Sequence, residues 1–367
     1  MSRAMIAYQE KESSRKRVFI TDCEGPISKN DNAFELASYY IPNGDKFFSI
    51  VSKYDDVLSD VFKRPNYKAG DTLRLILPFF KAYDVTNEKM IEFSRENILL
   101  VPKADQTLKE IYEIMSTYIV STSYEPYIKA LCDVIGFPFK NTFCTKLNID
   151  AYSITEEERK RLRELSQEIA DTKMIEIPEG AENLADFSEE DQRTIKRLDE
   201  VFFDEISRME IGRILKEINP IGGPEKANAV REIVEELGLE LYDVMYVGDS
   251  ITDVEAFRLV RENGGITISF NGNKYAVREA EIGICSFDTL PLISFALMFK
   301  KRGREGVVEL LDKFLKTQSP LEEAFEEAYK KRSSVLVWLT DKNREEFGKM
   351  SSKFRKEVRG EKIGRLG

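Results

Sequence analysis

Val18-Phe19-Ile20-Thr21-Asp22-Cys23-Glu24-Gly25-Pro26-Ile27 is the stretch on which the reading of this chain turns. Val, Phe, Ile and Thr favour a pleated, buried surface, so residues 18 to 21 are expected to form a central strand. Gly25 and Pro26 end regular pairing and let the chain fold back over the strand's end. In open α/β sheets, ligand chemistry sits just outside the carboxyl ends of strands. Asp22 and Glu24 therefore read either as a catalytic pair or as an exposed acidic turn.

Three later stretches repeat the pattern of a strand feeding a polar cluster. Tyr118-Ile119-Val120 ends in Ser121-Thr122-Ser123. Val244-Met245-Tyr246-Val247 feeds Gly248-Asp249-Ser250-Ile251-Thr252-Asp253. Ile266 to Phe270 ends at Asn271, and Phe143-Cys144-Thr145 and Ile284-Cys285 read as shorter strands. Helices are expected between them, one from Glu125 to Ile135 stopped by Gly136, another after Pro224 stopped by Gly238 and carrying Lys226. Strands alternating with helices imply a parallel sheet, which gathers these strand ends at one edge. The shared pocket would hold Asp22, Glu24, Asp249, Asp253, Lys226 and Ser121. That much negative charge is costly without a cation, and an incomplete shell of oxygen ligands suits Mg²⁺. Lysine and hydroxyl donors suit phosphate oxygens, and a carboxylate beside them can attack phosphorus.

The whole composition narrows the chemistry. The chain has 367 residues and no histidine, which excludes histidine ligands and histidine acid–base catalysis. Its net charge of -10 argues against binding nucleic acid, which requires excess Lys/Arg. The four cysteines, Cys23, Cys132, Cys144 and Cys285, are scattered and fit a reducing compartment. No apolar run approaches the roughly 18 residues of a membrane helix, so a cytoplasmic protein without a membrane span is expected.

Between the core stretches lie segments of different character. Residues 31–102 have helical spacing and many aromatics, and residues 148–218 carry mixed-charge helical surfaces. Residues 298–367 read as appended helices. The final 27 residues, with nine Lys/Arg against five Asp/Glu, read as a solvated basic tail.

Asp-x-acid after the first strand, Ser after the second, a Lys, then Gly-Asp-Ser-x-x-Asp resembles the haloacid dehalogenase (HAD) superfamily. Phe270-Asn271 followed by Ala276-Val277-Arg278-Glu279-Ala280 is similar to its phosphoserine-phosphatase-like branch. The resemblance implies a Rossmann-like α/β core built from residues 17–30, 103–147 and 219–297, with a helical C1 cap at 31–102. A helical insertion at 148–218, C-terminal helices from 298 and a flexible start at 1–16 complete the expected organisation. It also implies a Mg²⁺-dependent phosphatase acting on a small phosphorylated compound. Asp22 would be the nucleophile and Glu24 would stand at the acid/base position. Ser121 and Thr122 would bind the phosphoryl group, Lys226 would neutralise it, and Asn271 would line the pocket. Asp22, Glu24 (through its carbonyl), Asp249 and Asp253 would serve the metal, Asp253 through water or by holding Lys226.

Two positions depart from the family. Glu24 stands where Asp is usual, and one extra methylene moves the carboxyl by more than about 1 Å, a misplacement that can cost roughly 10²-fold. Pro26 replaces the usual Thr. Asp-Cys-Glu-Gly-Pro with the second insertion also resembles archaeal HAD-like proteins named subunit R of energy-converting hydrogenase A. That likeness implies the alternative of a weakly active or inactive accessory subunit, peripheral to a membrane-bound hydrogenase.

Overall fold

A computed structural model of the chain describes residues 15–316 and 320–364. Its strands are β1 Val18–Thr21, β2 Ser116–Tyr124, β3 Thr142–Thr145, β4 Val244–Gly248, β5 Ile266–Phe270, β6 Ile282–Cys285 and β7 Val335–Trp338. They form one sheet of order β3-β2-β1-β4-β5-β6-β7, parallel except for β7, which runs antiparallel to β6. The four residues of β1 are all buried, as are all five of β4, which is why both read as continuous apolar runs. After β1 the chain moves outward to β2 and β3, then returns to place β4 on the other side of β1. The topological switch point therefore lies between β1 and β4, where Asp22 and Asp249 emerge.

The α-helices of six or more residues among the described residues are, in chain order, α1 Asn32–Tyr40, α2 Gly44–Asp56, α3 Thr72–Ala82, α4 Asn87–Asn97, α5 Ala104–Ile114, α6 Glu125–Ile135 and α7 Glu156–Ala170. They continue with α8 Glu189–Asp199, α9 Pro224–Leu237, α10 Val254–Glu262, α11 Lys274–Glu279, α12 Pro291–Leu315, α13 Leu321–Lys331 and α14 Arg344–Arg359. The fold is α/β, as the strand–helix alternation leads one to expect. One hydrophobic cluster joins the sheet to α5, α6, α9, α10 and the C-terminal elements.

A second cluster shows what spacing along the chain does not. Phe47, Tyr54, Phe79 and Phe80 of the 31–102 segment share one core with Leu162, Leu165, Leu198 and Phe202 of the 148–218 segment. Phe202 stacks on Tyr54 and meets Phe79 edge-on, with ring centroids 6.0 and 6.2 Å away. Two segments separated by the β2-α6-β3 unit thus bury each other's apolar faces.

The C-terminal region departs from the sequence reading in two ways. It contributes a strand, β7, where helices alone were expected. The basic end is not a solvated tail: α14 is docked, with Phe347, Met350, Phe354 and Val358 in the sheet cluster. Direction explains where it ends up. Antiparallel β7 carries the chain away from the carboxyl edge of the sheet. The 16-residue helix that follows spans about 24 Å and carries the chain back to that edge. The expected flexible start falls mostly on residues outside those described, but Arg15 and Arg17 are tied down, on the Asp243 carboxylate and the Lys300 carbonyl.

Candidate active site

Asp22 follows β1 and is anchored by its own amide, which donates to the Val247 carbonyl on β4 at 2.8 Å. One carboxylate oxygen accepts from the Cys23 amide at 2.6 Å; the other lies 2.7 Å from the Lys226 ammonium. Burial pushes the Asp22 carboxyl above its ordinary range, while the Lys226 ammonium pulls it back. Lys226 is fully buried on the first turn of α9 and also contacts Asp253 at 2.8 Å. Burial opposes its charge, but Asp22 and Asp253 outweigh burial and hold the ammonium.

Asp253 is a positioning group. Its Oδ1 accepts from Lys226 and from the Tyr246 hydroxyl at 2.8 Å, and its Oδ2 accepts from the Asp249 and Ser250 amides at 3.0 Å. Both oxygens are thereby committed to Lys226 and to the turn that presents Asp249. Gly25 explains the approach of the first turn to the last: φ is +109°, and a Cβ there would collide with the Asp249 carboxylate.

Glu24 is turned toward the start of α1 in the 31–102 segment. Its Oε1 accepts from the Asn32 amide at 2.7 Å, at the start of α1, where Asp31 caps the helix through the Phe34 amide. Burial first, then Asp31, hold the Glu24 carboxyl well above the ordinary range against that hydrogen bond. Ser121 Oγ bonds the Ser123 amide and hydroxyl at 3.2 Å, whereas the buried Thr122 hydroxyl has no partner among the described residues. Asp22, Glu24, Ser121, Thr122 and Asp249 all line one cavity of about 110 Å³, roofed by Phe48, Ser52, Asp55 and Asp56 of α2.

Of the expected residues, Lys226, Asp253 and Asn271 do not line it; Lys226 and Asp253 act on it through Asp22. Asn271 spends its amide on Ser286, donating to the carbonyl at 2.7 Å and accepting from the amide at 2.9 Å, so it braces a loop rather than lining the cavity. Lys46, Arg64, Lys68 and Arg74, basic residues of the 31–102 segment, do not line it either; Arg64, for one, pairs with Asp199 of the second segment.

Two residues were missed. Arg355 and Arg359 of α14 reach the cavity, and both donate from Nη1 to Asp249 Oδ2, Arg359 at 3.1 Å. Their spacing of four places them on one helix face beside Phe354 and Val358, the signal that could have exposed them.

Residues 73–280, more than half of the chain, match the family of haloacid dehalogenase-like hydrolases. The chain belongs to that family. The matched stretch contains Ser121, Lys226, Asp249 and Asp253, and Asp22 precedes it. Among solved structures, the gene product AF1437 from Archaeoglobus fulgidus is 28% identical with a TM-score of 0.78, covering 96% of this chain and 99% of that one. A phospho-aspartyl intermediate analogue of phosphoserine phosphatase aligns at 14% identity with a TM-score of 0.45, over 77% of this chain and 99% of that one. No curated protein matches.

For a HAD-like hydrolase the question of a metal rests on the donor set. One carboxylate oxygen from each of Asp22, Asp249 and Asp253 lies within 4.8 Å of the others, all of them buried. Such hard oxygen donors fit a divalent ion of the Mg²⁺ kind. Among the described residues no helix is long and apolar enough to cross a membrane.

Proposed function

We propose that this protein is a Mg²⁺-dependent phosphohydrolase that cleaves a small phosphorylated compound through an aspartyl phosphate on Asp22. The observation that carries this reading is the convergence on one cavity of a lysine-paired carboxylate, a facing carboxylate and the Ser121 and Thr122 hydroxyls. The cavity of about 110 Å³ under the cap suits a small substrate.

Each side chain has a task in this scheme. Asp22 attacks phosphorus, and the bond to the leaving oxygen breaks. Lys226 offsets charge on Asp22 and on the phosphoryl group. The Ser121 and Thr122 hydroxyls donate to phosphoryl oxygens, Thr122 with the hydroxyl that has no partner among the described residues. Glu24, whose carboxyl burial raises well above the ordinary range, gives its proton to the leaving oxygen and then takes one from the water that hydrolyses the aspartyl phosphate. A divalent ion held by Asp22 and Asp249 would supply charge neutralisation and orient the phosphoryl oxygens.

A second reading, a weakly active or inactive HAD-like accessory subunit, draws on two observations. The Glu24 carboxylate is turned onto the Asn32 amide, and Asp249 is paired with two arginines. A peripheral place beside a hydrogenase rests on the sequence resemblance alone, since no match named above is a hydrogenase.

Hydrolysis of p-nitrophenyl phosphate with and without Mg²⁺ separates the readings. The hydrolase reading expects Mg²⁺-dependent turnover that falls by at least about 10³-fold in Asp22→Asn. Its leaving group needs little protonation, so Glu24→Gln should retain more activity on it than on an alkyl phosphate. Silence of the unaltered chain on a panel of phosphate monoesters would favour the accessory role.

A further inference from the structure

The last turns of α14 contribute Arg355 and Arg359 to the wall of the cavity. Arg355 and Arg359 are the cationic side chains lining it, each only 5% exposed. Both guanidiniums converge on the same atom, Asp249 Oδ2. Arg359 is further fastened by donating from Nε to the Lys29 carbonyl at 3.1 Å and from Nη2 to the Asn30 carbonyl, on the two residues leading from the core into the cap. Beyond the helix, Lys362 pairs with Asp45 on α2 at 3.1 Å, and Ile363 packs against the cap's core. The chain's end therefore runs from the sheet domain, across Asp249, to the cap.

We infer that Arg355 and Arg359 act as an internal counter-ion for Asp249, that a divalent ion must displace them to use this carboxylate, and that metal binding thereby loosens the C-terminal segment from the site. The inference rests on the metal reading proposed above. A buried carboxylate oxygen that accepts two charge-assisted bonds from arginines has little lone-pair capacity for a cation, and two guanidiniums repel an arriving divalent charge. Asp249 has only two states of low cost, arginine-paired or metal-bound, because a buried carboxylate without a counter-charge is strongly disfavoured. Linkage makes the coupling reciprocal: whatever factor the docked arginines take from metal affinity, the metal takes from docking. Because Arg359 also holds Lys29 and Asn30, release of this residue removes two bonds from the root of the cap and favours opening for a substrate.

The test measures metal binding and backbone exposure, not turnover. Mn²⁺ serves as the probe, with free ion counted by electron paramagnetic resonance, on the full chain and on Arg355→Gln, Arg359→Gln and Asp249→Asn. Each arginine variant is expected to bind Mn²⁺ about tenfold more tightly than the unaltered chain, within the span usual for such couplings. Hydrogen exchange on the unaltered chain needs no variant to fold: amides of residues 355–364 should exchange faster when Mn²⁺ is added. Unchanged or weaker binding in both arginine variants, or slowed exchange of that segment, overturns the inference while the metal site stands. Binding that survives Asp249→Asn, or no binding by any of the four proteins, overturns the metal reading itself and the inference with it.

Discussion

Lys226 has its ammonium between Asp22 and Asp253 and none of its side chain exposed. Removing one member of a buried ion pair leaves uncompensated charge, typically about 3–5 kcal/mol. Lys226→Ala is therefore expected to lower the unfolding free energy by about that amount, read from urea titrations, besides abolishing turnover. Asp55 is a different case, a buried acid away from the strand ends. It accepts from the Tyr67 hydroxyl at 2.7 Å and the Gly70 amide at 2.9 Å. Burial, then the neighbouring Asp71, push its carboxyl from 3.8 to about 8. The folded value lies above the unfolded one, so the unfolded chain gives up this proton first as pH rises. Its contribution to stability accordingly declines between 3.8 and about 8 and is flat on either side. In Asp55→Asn the fall in stability from about pH 5 to about pH 8 should be shallower than in the unaltered chain, the amide offering its carbonyl to Gly70 and its NH2 to the Tyr67 hydroxyl as the protonated acid does. Equal slopes for the two proteins would remove Asp55 from this account.

At the scale of elements, the turn from β1 into the cap depends on Gly25. Any side chain there meets a positive φ and the Asp249 carboxylate at once. Gly25→Ala should cost about 1–3 kcal/mol in backbone strain, seen as a lowered melting temperature. An unchanged melting temperature would mean the turn relaxes freely. Elements with strong local signals are where reading and structure agree most closely. Helix α6 runs Glu125–Ile135 as its apolar spacing and closing Gly136 imply, and α9 runs Pro224–Leu237 up to Gly238. Strand ends are less visible: β2 extends over Ser116–Tyr124, well beyond Tyr118-Ile119-Val120, because Ser116 and Thr117 pair with β1 and Tyr124 pairs with Thr145 of β3 across a register shift.

Across the whole molecule, the cap and the second insertion are one packing unit. Phe202, fully buried, is the insertion's contribution beside Tyr54 and Phe79. Truncating such a side chain costs about 3–5 kcal/mol. Phe202→Ala should raise hydrogen exchange in both helical segments, residues 31–102 and 148–218, while leaving the sheet's protection unaltered. Loss of protection confined to 148–218 would show that the two segments are energetically separate.

Residue order alone determined the parallel α/β core, the strand-end placement of Asp22, Asp249 and Asp253 and the place of Lys226 on the helix leading into β4, because burial of β-branched runs and the alternation of strand and helix are local signals that force polar loops to one edge. The absence of histidine likewise confined the chemistry to carboxylates, lysine and hydroxyls. Tertiary structure decided what faces those groups. Asn271 was turned away by Ser286, Glu24 was drawn to the start of α1, and the 31–102 segment came to share its core with a segment some 100 residues later. It also brought Arg355 and Arg359 to Asp249, more than 100 positions away in sequence, because an antiparallel edge strand followed by a 16-residue helix returns the chain to the carboxyl edge. Such contacts are set by the direction of elements and the length of the return path, which no local pattern of residues encodes.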